Sequence, residues 1–305
     1  MEILTKLIPI AMLTFVVSSM LSMGLSLTVG QIIAPLRNYR LIVFALLANF
    51  VLMPLAAVGI AKLLRLDEPL GIALVLLGTA SGAPFLPLLA RISKGNLAFS
   101  VGLMVLLMVV TVGYMPVVLP LMLEGVSVDP MKIARSLVFL MMLPLAIGLL
   151  VKARLSGLAA KVQPSLGRVS ILSLALLIAL LLITNMRNVL NLYGTLGVLA
   201  SILFIAAGSG IGWVLGGPQP DTRGVMGLGT AQRNIAAALV VGGQNFSDPK
   251  VVVMVVVVAI VGLLILMPVA KYLARFSKPA NQQADHSPKV QPLEQSASDG
   301  VRRAS

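Results

Sequence analysis

The sequence predicts an all-α polytopic membrane protein of about nine transmembrane helices. Apolar residues make up 58% of the 305-residue chain and charged residues only 11%, and the mean hydropathy is +1.03. Soluble domains carry about 25% charged residues, so this composition excludes an ordinary soluble protein. The apolar residues are also gathered into runs of roughly 20 residues, which is the length that a helix needs to cross the hydrocarbon core.

Nine such runs follow one another along the chain. They lie at about 7–27, 41–64, 70–90, 97–123, 133–151, 165–185, 195–215, 224–243 and 251–270. Residues 1–276 therefore form the predicted transmembrane domain. Residues 277–305 are rich in Gln, Ser, Pro, Asp and Lys. This composition is too polar to bury a core, and we predict a disordered cytoplasmic tail there.

The charges in the connections predict the orientation. Cytoplasmic loops of membrane proteins carry an excess of Lys and Arg. In this chain the connections after the first, third, fifth, seventh and ninth runs together hold most of the basic residues, whereas most of the acidic residues ahead of the tail lie in the other connections. We therefore predict a multi-pass protein of the bacterial inner membrane, with its N-terminus outside and its C-terminus in the cytoplasm. Topology also accounts for the net charge of +13, so the expected partner is the lipid bilayer and not nucleic acid.

The predicted spans lack the side chains that catalysis would need. The chain has no Cys, its one His is His286 in the tail, and all ten acidic residues lie in loops, termini or the tail. No Ser-His pair, paired carboxylates or metal-ligand cluster is available within the spans. We therefore predict that the protein is not an enzyme and has no metal site of its own.

Two similar polar patches interrupt the third and eighth runs. Residues 78–82 read GTASG and residues 229–234 read GTAQRN. The two runs are an odd number of spans apart, so the chain passes through them in opposite directions, as an inverted repeat requires. Residues 1–123 form the predicted first repeat, which lacks its opening helix, and residues 130–276 form the second. Close helix packing would explain the glycines, but it does not explain Arg233.

These patches and several other motifs resemble the bile acid:sodium symporter family, in its bacterial nine-helix form. The matching residues are MGLSLT at 23–28, NFVLMP at 49–54, GTAS at 78–81, KGNLAFSV at 94–101, Thr230 and Asn234. The resemblance implies a panel domain and a core domain, with helices three and eight unwound and crossing in the core. It also implies that a substrate binds beside the crossing and that sodium ions bind to polar groups around it.

The resemblance implies equivalent positions for four residues. Asn49 corresponds to a Gln of the family's sodium site, Ser81 and Ser100 correspond to hydroxyl residues of that site, and Asn234 corresponds to the Asn of the eighth-helix signature. Four positions depart from the family pattern. This chain has Gly82 where the family has Asn, Met104 where it has a Thr ligand, Gly229 where it has Glu, and Arg233 where it has Gln. Sodium is thus the one candidate ion, and we predict that any transport depends weakly on sodium or not at all.

Arg233 is the one cation well inside a predicted span, and an unpaired Arg at the bilayer centre costs about 2.5 to 3.5 kcal/mol. Its candidate partners are backbone carbonyls at the broken helices, water or an anionic ligand. It either takes the place of a bound cation and meets a substrate carboxylate or sulfonate, or is held permanently by carbonyl oxygens that lock the crossing. The predicted substrate-binding residues are Arg233, Asn234, Gln232, Thr230, Thr79 and Gly82.

The resulting hypothesis is a secondary transporter of a small or amphipathic organic anion. Two alternatives remain. One is a sodium-coupled symporter of organic anions that uses the residual neutral ligands Asn49, Ser81 and Ser100. The other is a non-transporting membrane scaffold or sensor with the same fold. The sequence leaves the substrate's identity and the oligomeric state open.

Overall fold

The computed structural model describes residues 2–33, 38–123, 129–184 and 196–276, and every regular element in these ranges is a helix. We number the helices in chain order. They are α1 (Glu2–Ser26), α2 (Val29–Ile33), α3 (Tyr39–Leu63), α4 (Glu68–Thr79), α5 (Leu86–Ile92), α6 (Leu97–Met122), α7 (Pro130–Arg154), α8 (Ser156–Thr184), α9 (Gly197–Leu215), α10 (Pro220–Ala231), α11 (Ile235–Asn245) and α12 (Pro249–Leu273). The predicted all-α class is confirmed, and the predicted tail at 277–305 lies outside the described residues.

Seven helices in the described ranges are long and apolar enough to cross a membrane, namely α1, α3, α6, α7, α8, α9 and α12. Their bounds agree with the predicted runs to within a few residues, except at the start of α8. That helix begins at Ser156 and not near residue 165. Hydropathy locates the apolar run, whereas the helix continues beyond it through two turns that carry exposed polar side chains such as Lys161.

The other two predicted spans are each split into two shorter helices. The run at 70–90 becomes α4 and α5, and the run at 224–243 becomes α10 and α11. The helical conformation ends at Ala80 in one case and at Gln232 in the other, and both residues have extended ψ angles, of 94° and 114°. The breaks predicted at the two polar patches are therefore present. A total of nine spans, and the inverted relation of the two halves, stay predictions.

Helices α3 and α7 each contain one turn of π-helix just ahead of a proline. These turns are Ala48–Leu52 before Pro54 and Val138–Met142 before Pro144. Proline has no backbone N–H and its ring crowds the preceding turn, so a wider turn with one extra residue accommodates it. In α3 this turn includes Asn49, whose side chain is completely buried.

The helices pack in two groups. The three-helix group consists of α1, α7 and α8, and α1 lies along both of the others. The main group contains α2 to α6 and α9 to α12. Within it, α2 packs against α6, α4 packs against α3 and α12, and α10 packs against α9 and α6. Within the three-helix group, α1 and α7 approach closely at Gly24 and Gly148. A Cβ atom at Gly24 would lie 2.3 Å from the carbonyl oxygen of Leu145, so this approach requires glycine.

Polar contacts join the two groups at the N-terminal end of α7. Lys132 Nζ donates to the backbone carbonyl of Gln244, and Ser136 Oγ donates to Gln244 Oε1. Beside them, a Cβ atom at Gly243 of α11 would lie 3.1 Å from Sδ of Met12 in α1. Helix α11 is therefore held against both α1 and α7 at this end. We call this set of contacts, made by Met12, Lys132, Ser136, Gly243 and Gln244, the α11 contact.

Candidate functional site

The two helix breaks meet in the main group. The backbone N–H of Asn234 donates to the carbonyl of Ala80 at 3.0 Å, and Asn234 Nδ2 donates to the carbonyl of Gly82 at 3.1 Å. Asn234 Oδ1 accepts from the N–H of Ala237 at 3.1 Å and so caps the N-terminus of α11. The side chain of Asn234 thus begins a half-helix and also bridges the two breaks.

Gly82 makes the first break possible. Its φ angle is +80°, in the left-handed region that favours glycine. A Cβ atom would lie 2.2 Å from the backbone nitrogen of Met108 and 2.6 Å from the carbonyl oxygen of Met104. The family's Asn at this position would therefore collide with the backbone of α6. The close approach of the break to α6 therefore requires glycine at residue 82.

Asn49 lies at the centre of a buried polar cluster. Its Oδ1 accepts from Ser81 Oγ at 2.8 Å and from Arg233 Nη1 at 2.7 Å. Its Nδ2 donates to Thr230 Oγ1 at 3.3 Å and to the carbonyl of Ala45 at 3.0 Å. The structure thus brings together four of the predicted site residues, Asn49, Ser81, Thr230 and Arg233, all at most 1% exposed.

Thr111 also belongs to this cluster and was not predicted from the sequence. It is buried on α6, its Oγ1 accepts from the N–H of Ser81 at 3.0 Å, and it donates to the carbonyl of Ser81 at 3.1 Å. Both backbone groups of Ser81 are thereby satisfied within the break. A lone Thr in an apolar helix gives no signal in the sequence, because such residues usually bond to their own helix.

The guanidinium of Arg233 donates five hydrogen bonds, and every acceptor is a neutral protein oxygen. Nε donates to the carbonyl of Leu77 at 2.8 Å. Nη1 donates to Asn49 Oδ1 at 2.7 Å and to the carbonyl of Thr230 at 3.1 Å. Nη2 donates to the carbonyls of Gly78 at 2.7 Å and Asn49 at 3.5 Å. Of the two roles considered for Arg233, these contacts favour the permanently held arginine.

Three other predicted site residues are not joined to this cluster by any described hydrogen bond. Thr79 Oγ1 donates to the carbonyls of Val75 and Leu76 in its own helix. Ser100 Oγ donates to the carbonyl of Leu97, also within its own helix. Gln232 lines a narrow cavity between α9 and α12.

In the Asn49 cluster, Arg233 occupies oxygen atoms that a sodium ion would need. Sodium prefers hard oxygen ligands, and Asn49 Oδ1 already accepts two hydrogen bonds, one of them from the guanidinium. Gly82, Met104 and Gly229 supply no side-chain oxygen. Within the described ranges no group of three or more His, Cys, Asp or Glu could hold another metal ion.

A larger cavity of about 270 Å³ lies between the two helix groups. The three-helix group contributes hydroxyl, amide and apolar side chains, and the main group contributes the end of the first break and the start of α6. The lining residues are Ser19, Ser22, Met23, Ser26, Leu27, Pro84, Pro87, Val101, Met104, Gln163, Gly167 and Ser170. None of the predicted substrate-binding or ion-binding residues lines it. The lining does include Met104, one of the four departures from the family pattern, and Met23, Ser26, Leu27 and Val101 of the matching motifs.

Three serines of α1 line this cavity and were not predicted as site residues from the sequence. Ser19, Ser22 and Ser26 are spaced three and four residues apart, which places them on one face of a helix. That spacing is a usable signal, although serines within apolar helices also serve close packing. The polar lining of the cavity is neutral: hydroxyl groups that donate and accept, and the amide of Gln163.

Comparison with known proteins agrees with the architecture. The sequence model of the Sodium Bile acid symporter family matches residues 12–192. Curated relatives include a "Probable sodium/metabolite cotransporter BASS1, chloroplastic" of Oryza sativa subsp. japonica, 25% identical over 79% of this chain and 60% of the relative. Another is the "Uncharacterized sodium-dependent transporter YocS" of Bacillus subtilis (strain 168), 27% identical over 65% of this chain and 60% of the relative.

The chain thus spans about 60% of the length of these two relatives. The family match, in contrast, covers more than half of the chain itself, and it includes the first break, the Asn49 turn and the serine face of α1. The resemblance noted from the motifs is therefore confirmed: this chain belongs to the sodium bile acid symporter family.

Proposed function

We propose that the protein is a secondary transporter that carries a small organic anion across a membrane through the cavity between its two helix groups. The observation that supports this proposal most directly is the position of the cavity. Ser22 and Ser170 line it from the three-helix group, while Pro84 and Met104 line it from the main group. A relative movement of the two groups would therefore change access to a bound molecule.

The size of the cavity favours a small substrate. Pockets for small molecules usually measure about 300 to 1,000 Å³, and this one, at about 270 Å³, is slightly below that range. Of the small and the amphipathic anions considered from the sequence, the cavity accommodates the small ones better. Serine hydroxyls and the Gln163 amide can donate hydrogen bonds to a carboxylate or sulfonate.

Arg233 does not line the cavity, so an anion there would be held by neutral hydrogen-bond donors and not by contact with the guanidinium. Its five described hydrogen bonds include no carboxylate. The described acidic residues Asp67, Glu68, Asp129, Asp221 and Asp248 all lie at helix N-termini. No described carboxylate is therefore bonded to the guanidinium, and the partial negative charges nearest to it are those of the helix C-termini that it contacts.

A pair of glycine variants on α8 tests the cavity. Gly167 lines it and has ordinary room for a Cβ atom, 3.5 Å from Ser22 Oγ, whereas Gly157 of the same helix is exposed and has nothing within 4 Å. Gly167→Leu should fill part of the cavity and abolish ligand-induced stabilisation and uptake. Gly157→Leu makes the same substitution outside the cavity and should retain both.

The probes are carboxylates paired with uncharged amides of the same shape, such as benzoate with benzamide and succinate with succinamide. A ligand raises the melting temperature of purified protein by mass action, and those that bind are then tested for uptake into proteoliposomes. Equal stabilisation by acid and amide would contradict the anion assignment. Binding without uptake would favour the non-transporting sensor.

A sodium-coupled symporter is the second candidate. One relative is named a probable sodium/metabolite cotransporter and the other a sodium-dependent transporter, and Asn49 and Ser81 place oxygen atoms in the buried cluster. Replacement of sodium by potassium on both sides of the membrane should abolish uptake if this candidate is correct. In either case we place the protein in a bacterial inner membrane, with no catalytic step.

A further inference from the structure

The acceptors around Arg233 form an oxygen cage with a defined origin. The carbonyls of Leu77 and Gly78 belong to the last turn of α4, and the carbonyl of Thr230 belongs to the last turn of α10. The last four carbonyls of a helix have no partner within it, and they carry the negative end of the helix dipole. Two helix C-termini therefore converge on one point. A positive charge at that point is stabilising because both helix dipoles end there with their negative ends.

Asn49 completes the cage from a third segment. Its Oδ1 lies 2.7 Å from Arg233 Nη1, and its backbone carbonyl oxygen lies 3.5 Å from Nη2. Carbonyl and amide oxygens are the ligand type that hard cations such as sodium prefer. The guanidinium is thus surrounded by the kind of ligand set that would otherwise suit a free cation, and it is 1% exposed.

We propose that Arg233 is a built-in cation, which permanently neutralises the two converging helix C-termini and makes a bound sodium ion unnecessary. The proposal concerns ion dependence at the site of the proposed transporter. It predicts that the native protein is indifferent to sodium, and that removal of the guanidinium leaves an oxygen cage that accepts a sodium ion in its place.

The same geometry argues against direct contact between Arg233 and a substrate. An arginine has five N–H donors, and all five described hydrogen bonds are to the protein. An anion that bound the guanidinium would have to displace acceptors from the buried cage. We therefore assign Arg233 a role in fixing the junction of the two breaks, and its contact with a substrate carboxylate stays a prediction from the sequence.

The test is Arg233→Gln, which keeps an amide oxygen and removes the charge. Melting temperatures of purified protein are measured in sodium chloride, potassium chloride and choline chloride at equal ionic strength. The wild type should melt at the same temperature in all three salts. The variant should melt lower in choline chloride and should be stabilised saturably by sodium, by about 3 °C or more at tenfold the Kd.

Arg223→Gln is the matched control. Arg223 lies in the first turn of α10, the helix that ends two residues before Arg233. Its Nε donates to the carbonyl of Gly217 and its guanidinium lies 5.8 Å from the Trp213 ring. It does not contact the cage, so this variant should show no specific response to sodium. A sodium response of equal size in both variants would indicate a general salt effect and would overturn the proposal.

Two further outcomes would also overturn it. The first is saturable stabilisation of the wild type by sodium, and the second is a folded Arg233→Gln protein that melts identically in all three salts. If Arg233→Gln gives no folded protein, Arg233→Lys is measured instead. It retains a cation and should be indifferent to sodium, and a sodium response of that variant would contradict the role of the charge. Melting does not require transport, so this result is independent of the uptake assay.

Discussion

Substitution of Gly82 gives the sharpest test of the junction between the breaks. Gly82→Ala would force a residue with a Cβ atom into a backbone with φ of +80°, which costs about 1 to 2 kcal/mol. The new methyl group would also lie 2.2 Å from the backbone nitrogen of Met108. A backbone atom within a helix cannot move aside as a flexible side chain can, and such overpacking costs about 1 to 3 kcal/mol.

The two contributions add to a loss of about 2 to 5 kcal/mol in the free energy of unfolding. For a large domain this corresponds to a fall of at least about 4 °C in the melting temperature. The assay is thermal unfolding of purified protein in detergent. Gly113→Ala is the control, because Gly113 lies on α6, the helix that the break approaches, and a Cβ atom there meets nothing within 4 Å. That control should be unchanged or slightly more stable.

Gly82→Asn separates the two contributions. Asn tolerates the left-handed conformation better than Ala and is the residue of the family pattern at this position. The free energy of unfolding of the Gly82→Asn protein should therefore fall by the cost of the collision alone, about 1 to 3 kcal/mol. A melting temperature equal to that of the wild type for both Gly82 variants would refute the close approach of the break to α6.

The remaining predictions concern the α11 contact and the topology. Because the chain has no native Cys, Met12→Cys provides a single labelling site that is 5% exposed beneath α11. Gln244→Ala removes the side-chain acceptor of Ser136 and should increase the rate at which a thiol reagent labels Met12→Cys. An unchanged rate would mean that the contact does not restrict access. A reporter fused after Lys278 should give cytoplasmic signals, and an external signal would overturn the predicted orientation and the count of spans.

The sequence by itself determined the membrane class, the approximate spans and the two breaks. These properties are local: hydropathy depends on the composition of about 20 neighbouring residues, and glycines and prolines weaken a helix where they occur. The motifs also identified the family, because they lie in order along the chain. Even the unusual residues were visible, since Arg233 stands out in any span that lacks a carboxylate.

Only the tertiary structure decided what those residues contact. Arg233 bonds to residues that precede it by 155, 156 and 184 positions, and no local pattern specifies which carbonyls converge on it. The same holds for Gly82, whose role depends on how closely α6 approaches. The serine face of α1 could be read from its spacing, but its position opposite Met104 depends on how the two helix groups pack. Distant segments meet through packing, and that is why the sequence predicted the breaks but left the role of Arg233 open between two alternatives.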